Sequence, residues 1–178
     1  MEAPEEPLSM KERDGSRPLL SFVGRLSDQK GIDVLMDALD SYPGDPGFDL
    51  AIAGKGELSD WLNERHAASN LGSIVSVLGL VSESENRWLY ENSAAITIPS
   101  RFEGLSTVLL DSMHSGTPVV MADVNGLGAL VEGYGCGLSV PMEDHTSLAE
   151  AMKESAMADS QTRSEWGLAG RKAADSYL

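Results

Sequence analysis

Two acidic side chains flank the predicted start of a helix in the middle of the chain. Glu103 lies in the loop that follows the apolar run 94–98, and Ser106 or Thr107 can cap the helix behind that loop. Asp111 lies about five residues into the helix, roughly 8 Å along its axis at about 1.5 Å of rise per residue. Two carboxylates at this spacing can form an acid/base pair, or they can bind hydroxyl groups at the two ends of one polar ligand.

Two basic side chains flank another loop, nearer the start of the chain. Arg25 and Lys30 lie between the apolar run 19–23 and an amphipathic pattern that begins at Ile32. The N-terminus of a helix is a mildly unfavourable place for cations because the helix dipole is positive there. A bound anion would remove the conflict, and solvation with a pairing to Asp28 would explain the charges equally well. Both interpretations stay open at the level of the residues.

A glycine-rich turn follows the second apolar run of the chain. Gly54, Lys55 and Gly56 would let the backbone approach a ligand closely, but they lack the longer spacing and the trailing Lys-Ser/Thr of a P-loop. An ordinary tight turn is therefore the simpler interpretation of this segment.

Six short apolar runs alternate with helical patterns, which predicts a Rossmann-like doubly wound parallel sheet with helices on both faces. The predicted strands are 19–23, 48–53, 74–78, 94–98, 118–122 and 138–140. In such an α/β fold, ligands bind outside the carboxyl ends of the strands. The candidate groups that follow strand ends, and that we expect to share one cleft, are Arg25, Lys30, Gly54, Val81 and Glu103.

The composition excludes several classes of function. The chain has 178 residues with a net charge of -15, from 28 acidic and 13 basic side chains, which argues against nucleic acid or an anionic membrane as the main partner. No apolar run approaches the ~18 residues of a membrane span, so we expect a cytoplasmic location. One cysteine and three scattered histidines offer no metal-ligand spacing, so no metal is expected.

The domain organisation predicted from these patterns is simple. Residues 1–17 have no periodicity and are predicted to be a disordered lead or the remnant of a linker. Residues 18–178 are predicted to form one ligand-binding α/β domain.

Several motifs together resemble a known family. They are Phe22-Val23-Gly24-Arg25-Leu26 with Lys30-Gly31, then Ala53-Gly54-Lys55-Gly56, and Pro99-Ser100 with Glu103, Met113, Gly116 and Pro118-Val119-Val120. From about Pro18 to Tyr177 the chain resembles the C-terminal, nucleotide-sugar-binding domain of retaining glycosyltransferases of family 4, the group 1 transferases with a GT-B fold. The resemblance implies a hexosyltransferase type of activity in carbohydrate biosynthesis, with a UDP-, GDP- or ADP-sugar as donor substrate and no cofactor.

The resemblance also implies roles for individual residues. Arg25 and Lys30 would bind the donor diphosphate and stabilise the leaving group, and Glu103 would contact the hydroxyls of the donor sugar. The backbone amides of the helix start would complete the phosphate site, and these belong to Gly104, Leu105, Ser106 and Thr107.

The nucleoside would be bound by groups on either side of this phosphate site. Gly54 and Val81 would approach the nucleoside through their backbones, and Asp111 would contact its ribose. Asp111 stands where the family usually has a glutamate, and Leu105-Ser106 replaces a frequent Phe-Gly pair. Ala129 occupies a place that is often acidic.

One part of the family pattern is absent from this sequence. Such enzymes have a second Rossmann-like domain before this one, and it supplies the acceptor site. We therefore expect a domain cut from a longer enzyme, or one half of a split enzyme, with negligible transfer activity alone and with membrane association only through the missing part. The alternatives are a non-catalytic nucleotide-binding or assembly module of the same fold and, with less support from the scattered histidines, a GT-B-like epimerase.

Overall fold

The computed structural model of the protein describes residues 3–11, 13, 15–104 and 106–177. The strands are β1 (Leu19–Val23), β2 (Asp49–Ala53), β3 (Val75–Gly79), β4 (Ala95–Ile98), β5 (Val119–Ala122) and β6 (Gly137–Val140). The helices are α1 (Ile32–Asp40), α2 (Ser59–Ala68), α3 (Glu83–Asn92), α4 (Thr107–Ser115), α5 (Leu127–Tyr134), α6 (His145–Met157) and α7 (Ser160–Tyr177). Single 3-10 turns are present at Leu8–Met10 and Asp28–Lys30.

The strands form one parallel sheet with the order β3-β2-β1-β4-β5-β6. Helices cover both faces because successive side chains of a strand point in opposite directions. Leu20 of β1 packs in a cluster that includes residues of α1, α2 and α6, whereas Ile96 of β4 packs in a cluster with residues of α3, α4, α5 and α7. The predicted Rossmann-like α/β class is confirmed, and each strand begins and ends within one residue of its predicted bounds.

The strand order creates a topological switch point between β1 and β4. From β1 the chain builds the sheet in one direction through β2 and β3, and then β4 returns to the other side of β1. The loops that leave β1 and β4 therefore diverge to opposite faces, and a crevice opens between them at the carboxyl edge of the sheet. Arg25 and Lys30 lie in the first of these loops, and Glu103 lies in the second.

Gly54 is required where the loops after β1 and β2 meet. Its φ is +145°, and a Cβ at this position would lie 1.7 Å from the backbone oxygen of Gly24. We expect Gly54→Ala to lower the free energy of unfolding by about 1–3 kcal/mol, because backbone atoms cannot rotate away as a side chain can. Urea unfolding measures this loss. The matched control is Gly44→Ala, since nothing lies within 4 Å of a Cβ there; equal losses in the two variants would contradict the close approach.

The segment before β1 is more ordered than the sequence indicates. Met10, in the turn Leu8–Met10, is buried against Leu19 of β1 and Leu89 of α3. The backbone amide of Glu5 donates to the carbonyl of Ser84 at 3.2 Å. One buried methionine produces no periodic pattern, which explains why the sequence predicts disorder here; the division into residues 1–17 and 18–178 stays a prediction.

None of the helices in the described ranges combines the length and the apolar character that crossing a bilayer requires.

Candidate functional site

The loops after β1 and β4 lie against each other at the switch point. A Cβ on Gly31 would lie 2.0 Å from the backbone oxygen of Pro99, so only a glycine permits this approach. The backbone amide of Arg101 donates to the carbonyl of Gln29 at 2.9 Å. The side-chain amide of Gln29 donates to the carbonyl of Phe102 at 3.1 Å. Residues 28–30 and 101–103 therefore run side by side.

Lys30 and Glu103 form an ion pair between these two segments. The Lys30 Nζ atom lies 2.7 Å from the Glu103 Oε1 atom, and the Ser100 hydroxyl donates to the same oxygen at 2.6 Å. Glu103 is only 4% exposed. Two donors to one buried carboxylate oxygen fix the orientation of the group, which suits an acceptor of hydrogen bonds. The pair also relieves the unfavourable position of Lys30 near a helix N-terminus.

Arg101 joins three loops beside this ion pair. Its guanidinium donates to both carboxylate oxygens of Asp33 in α1, at 2.8 and 2.7 Å. It also donates to the carbonyl and carboxylate of Asp28, at 2.7 and 3.2 Å, and to the Glu143 carboxylate after β6, at 2.6 Å. The hydrogen bond from Arg101 holds the pKa of Asp33 below its usual value, although partial burial opposes the shift. Hydrogen bonds to Asp33 and Glu143 raise the pKa of Arg101 itself, so it remains a cation.

Two residues with unusual backbone conformations support the loop after β4. In the described part of the chain, Asn125 and Glu143 are the non-glycine residues with positive φ, at 53° and 59°. The Asn125 side-chain amide donates to the Glu103 carbonyl at 2.7 Å, and Glu143 accepts from Arg101. Left-handed backbone in a side-chain-bearing residue costs about 1–3 kcal/mol and is often found at functional sites.

The start of α4 has an ordinary N-cap. The Ser106 hydroxyl accepts a hydrogen bond from the Leu109 amide at 3.4 Å, and Ser106 is buried. Gly104 and Thr107 are exposed at this end of the helix. Leu105, the other predicted member of the phosphate site, lies outside the described residues. The roles of these four residues in binding stay predictions.

Asp111 lies on the surface of α4, on the side that faces α3. Burial, and then the neighbouring charge of Asp111, raise the pKa of Tyr90 in α3. Partial burial raises the pKa of Asp111 as well, and the nearby His114 opposes that shift. No contact in the described residues joins Asp111 to Glu103.

A cavity of about 500 Å³ lies at the carboxyl ends of β1, β2 and β3. It brings together three predicted residues, namely Arg25, Gly54 and Val81. Arg25 is 72% exposed at its side chain, and its Nε lies 3.3 Å from a Glu57 carboxylate oxygen, a weak surface pair. The described contacts do not connect Arg25 to the Lys30–Glu103 pair. The predicted residues thus form two neighbouring groups that both begin in the loop after β1.

Three other cavities are larger and lie away from the switch point: one of about 550 Å³ between α5 and α7, and two of about 680 Å³ each. Of the latter two, one is lined by Asp40 and Arg65 near the ends of α1 and α2, and the other is lined by Pro18 and Pro118 near the starts of β1 and β5. We assign the site to the carboxyl edge despite its smaller cavity. The buried carboxylate, the cations and the strained loops converge there, and this is where doubly wound sheets bind ligands.

Sequence reasoning did not select several residues that organise the site. Ser100 and Asn125 donate hydrogen bonds to Glu103, and Arg101 lies in the same loop and joins it to Asp28 and Glu143. A usable signal was present for Arg101, since it is a cation directly after a strand, like Arg25. No local signal identifies Asn125, because its partner is 22 positions away in the sequence.

The fold and the site define a Rossmann-like α/β domain with a polar cleft at its switch point. The chain belongs to the glycosyl transferases group 1, whose family pattern matches residues 8–173. It is 31% identical over 147 residues to glycogen synthase of Mycobacterium tuberculosis, covering 80% of this chain. It is 30% identical over 149 residues to alpha-D-kanosaminyltransferase of Streptomyces kanamyceticus, covering 81% of this chain.

The match extends over only part of each relative. The chain spans 34% of the Mycobacterium tuberculosis protein and 38% of the Streptomyces kanamyceticus protein. Among solved structures, sucrose-phosphate synthase from Thermosynechococcus elongatus aligns with a TM-score of 0.79 at 25% identity, over 98% of this chain and 45% of that one. HepE of Anabaena, in complex with UDP and glucose, aligns with a TM-score of 0.77 at 21% identity, over 94% of this chain and 46% of that one.

Proposed function

We propose that this chain is the donor-binding domain of a retaining glycosyltransferase, which transfers a sugar from a nucleoside-diphosphate sugar to an acceptor. The observation on which the proposal rests is the buried carboxylate of Glu103, paired with Lys30 at the switch point of a group 1 chain. By the family resemblance, the domain is the C-terminal half of a GT-B enzyme of family 4.

The diphosphate would be bound by cations and by backbone amides. Departure of a nucleoside diphosphate develops negative charge, and fixed positive groups stabilise that charge without a metal ion. Arg25, exposed beside the cavity, and Lys30, 24% exposed at its side chain, are the cations that we assign to it. The amides of Gly104, Ser106 and Thr107 near the start of α4 would add the positive end of the helix dipole, and the sequence resemblance adds Leu105 to this group.

Glu103 would orient the donor sugar and would not transfer protons. Its Oε1 atom already accepts hydrogen bonds from Lys30 and Ser100, and both contacts fix the carboxylate in place. Its Oε2 atom has no hydrogen-bond partner among the described residues and remains available to accept from a sugar hydroxyl. The resemblance implies reaction on one face of the donor, with the leaving phosphate assisting the acceptor.

The nucleoside would occupy the 500 Å³ cavity after β1, β2 and β3. Gly54 and Val81 line it, and the exposed side chain of Leu80 provides an apolar surface beside the base. Asp111 would accept a hydrogen bond from the ribose, directly or through a water molecule. UDP, GDP and ADP remain the candidate nucleotides.

Transfer would require a further domain. HepE and sucrose-phosphate synthase are each more than twice as long as the aligned part of this chain. We propose that an N-terminal Rossmann-like domain, in cis or in trans, supplies the acceptor site. If a partner domain restores no transfer while nucleotide still binds, the alternative of a non-catalytic nucleotide-binding or assembly module is favoured.

Isothermal titration with UDP, GDP, ADP and UDP-glucose tests the binding function directly. We expect one of the three nucleotides to bind at millimolar concentration or below. Failure of all three would show that this chain does not have the proposed phosphate site.

Two conservative variants then separate the sugar from the nucleoside. For the nucleotide that binds, Glu103→Gln should weaken the matching nucleotide-sugar more than the free nucleotide, whereas Asp111→Asn should weaken both equally. Equal losses for the Glu103 variant would remove the sugar role from that residue.

A further inference from the structure

We propose that Arg101 is a positioning residue, which holds the loops after β1, β4 and β6 in the one arrangement that places Lys30 against Glu103. What the pair binds rests on the proposed function, whereas the positioning itself is a property of the folded chain. Among the described contacts, Arg101 has no hydrogen bond or ion pair with Lys30 or Glu103. It would therefore act on the pair only through the loops that it joins.

Arg101 contacts three carboxylates that come from different elements of the fold. Asp28, Asp33 and Glu143 surround the guanidinium, and they come from the 3-10 turn before α1, from α1 and from the loop after β6. Asp33 receives two parallel hydrogen bonds, which fix angle as well as distance. A single side chain therefore fixes the relative positions of three loops.

Residues 28–30 and residues 101–103 pair with each other in one register. Asp28 pairs with Arg101, the side chain and backbone of Gln29 pair with the backbone of 101–102, and Lys30 pairs with Glu103. The Arg101 contact lies at one end of this row, and the Lys30–Glu103 contact lies at the other. A shift of the row by one residue would remove the Lys30 ammonium from the buried carboxylate.

Arg101 also reduces the electrostatic repulsion among its three carboxylate partners. Without a cation in their midst, Asp28, Asp33 and Glu143 would repel one another across the loops, in a chain whose net charge is -15. Glu143 also keeps a left-handed backbone while it contacts Arg101, which indicates that the contact compensates a local strain. Arg101 therefore offsets part of the negative charge at the rim of a cleft to which an anionic ligand is proposed to bind.

A lysine at position 101 could not make the same set of contacts as the arginine. A planar guanidinium can serve Asp33 in a bidentate manner while its Nε atom serves Glu143, whereas an ammonium offers a single point of charge. Arg101→Lys should therefore retain the charge and lose the alignment of the loops, which makes it the informative substitution.

The test measures the energetic coupling between Lys30 and Glu103 in urea unfolding. Lys30→Met, Glu103→Gln and the double variant form a cycle, which is repeated with Arg101→Lys present. With Arg101 in place we expect a coupling of roughly fivefold in the unfolding equilibrium constant, within the range for residues in contact. With Arg101→Lys we expect a coupling below about twofold. A coupling that Arg101→Lys leaves unchanged would overturn the proposal.

Arg65→Lys is the matched control for this cycle. Arg65 also pairs with two aspartates, Asp37 and Asp40, but it joins α2 to α1 away from the cleft. The coupling should be unchanged in this variant, and an equal fall there would show a general loss of stability and overturn the proposal. If Arg101→Lys does not fold, Glu143→Gln, which removes one exposed contact, should still lower the coupling; an unaltered coupling would again contradict us.

A binding measurement separates this proposal from the proposed function. In Arg101→Lys, the ratio of affinities for UDP-glucose and UDP should fall to the ratio found for Glu103→Gln, and an unaltered ratio would overturn positioning. If the native chain binds neither compound, the proposed function fails, and the unfolding cycle still decides whether Arg101 aligns Lys30 with Glu103.

Discussion

Replacing Arg25 and Lys30 together by alanine should lower the affinity of the chain for UDP at least about 100-fold. Each charge-assisted hydrogen bond to a phosphate oxygen contributes about 1.5–3 kcal/mol, and two such losses correspond to this factor or more. Arg25→Ala alone should lose about 10-fold or more. Its side chain is 72% exposed and has one weak surface pair, so the fold should be unaffected. Isothermal titration measures the binding, and circular dichroism verifies folding.

The matched control for this loss is Arg163→Ala. Arg163 lies in α7 beside the cavity at the starts of β1 and β5, at the edge of the sheet opposite to the site. Arg163→Ala removes one positive charge, as Arg25→Ala does, so a general electrostatic effect would lower the affinity for UDP equally in both variants. If Arg25→Ala binds UDP as tightly as Arg163→Ala does, Arg25 has no phosphate role.

Lys30→Met should destabilise the fold by about 2–4 kcal/mol, the second large effect that we expect. The buried carboxyl group of Glu103, 4% exposed, would be left with only the Ser100 hydroxyl as a polar side-chain partner. Glu103→Gln should cost less, because the Lys30 side chain is 24% exposed and its ammonium can be solvated. The double variant should recover part of the loss, since no uncompensated charge remains. Urea unfolding near neutral pH measures all three variants.

Lys153→Met serves as the reference for this experiment. Lys153 is exposed on α6, and its loss should change the free energy of unfolding by no more than about 0.5 kcal/mol. A Lys30→Met variant that is no less stable than Lys153→Met would contradict the burial of the pair. A larger loss for Glu103→Gln than for Lys30→Met would contradict the assignment of Glu103 as the less exposed charge.

The elements of the fold could be predicted because their signals are local. The apolar runs give the strands, and the segment from Ser82 to Glu85 predicts a capping box that is present with both hydrogen bonds. Asp144 is a residue type typical of helix N-caps and lies directly before the helical pattern of α6, and it accepts from the Ser147 amide. Ser106, one of two predicted caps for α4, is the N-cap. In each case the interacting groups lie within one turn of each other.

The site could be predicted only in part because its contacts are not local. Lys30 and Glu103 are 73 positions apart, and they meet only because β4 pairs with β1. The alternation of strands and helices predicts that both residues lie at one edge of the sheet, but it does not give the order of the strands. The pairing of Lys30 with Glu103, and the contacts of Arg101 with Asp28, Asp33 and Glu143, therefore had to come from the structure.

The adjacency of β1 and β4 also has a kinetic consequence. These neighbouring strands are separated along the chain by β2, β3 and the helices between them, so their pairing closes a long loop and carries a large entropic cost. Pairs such as β1 with β2 close much shorter loops. During refolding, helical and strand content should therefore accumulate before the crevice exists, and competence to bind nucleotide should mark the completion of the sheet.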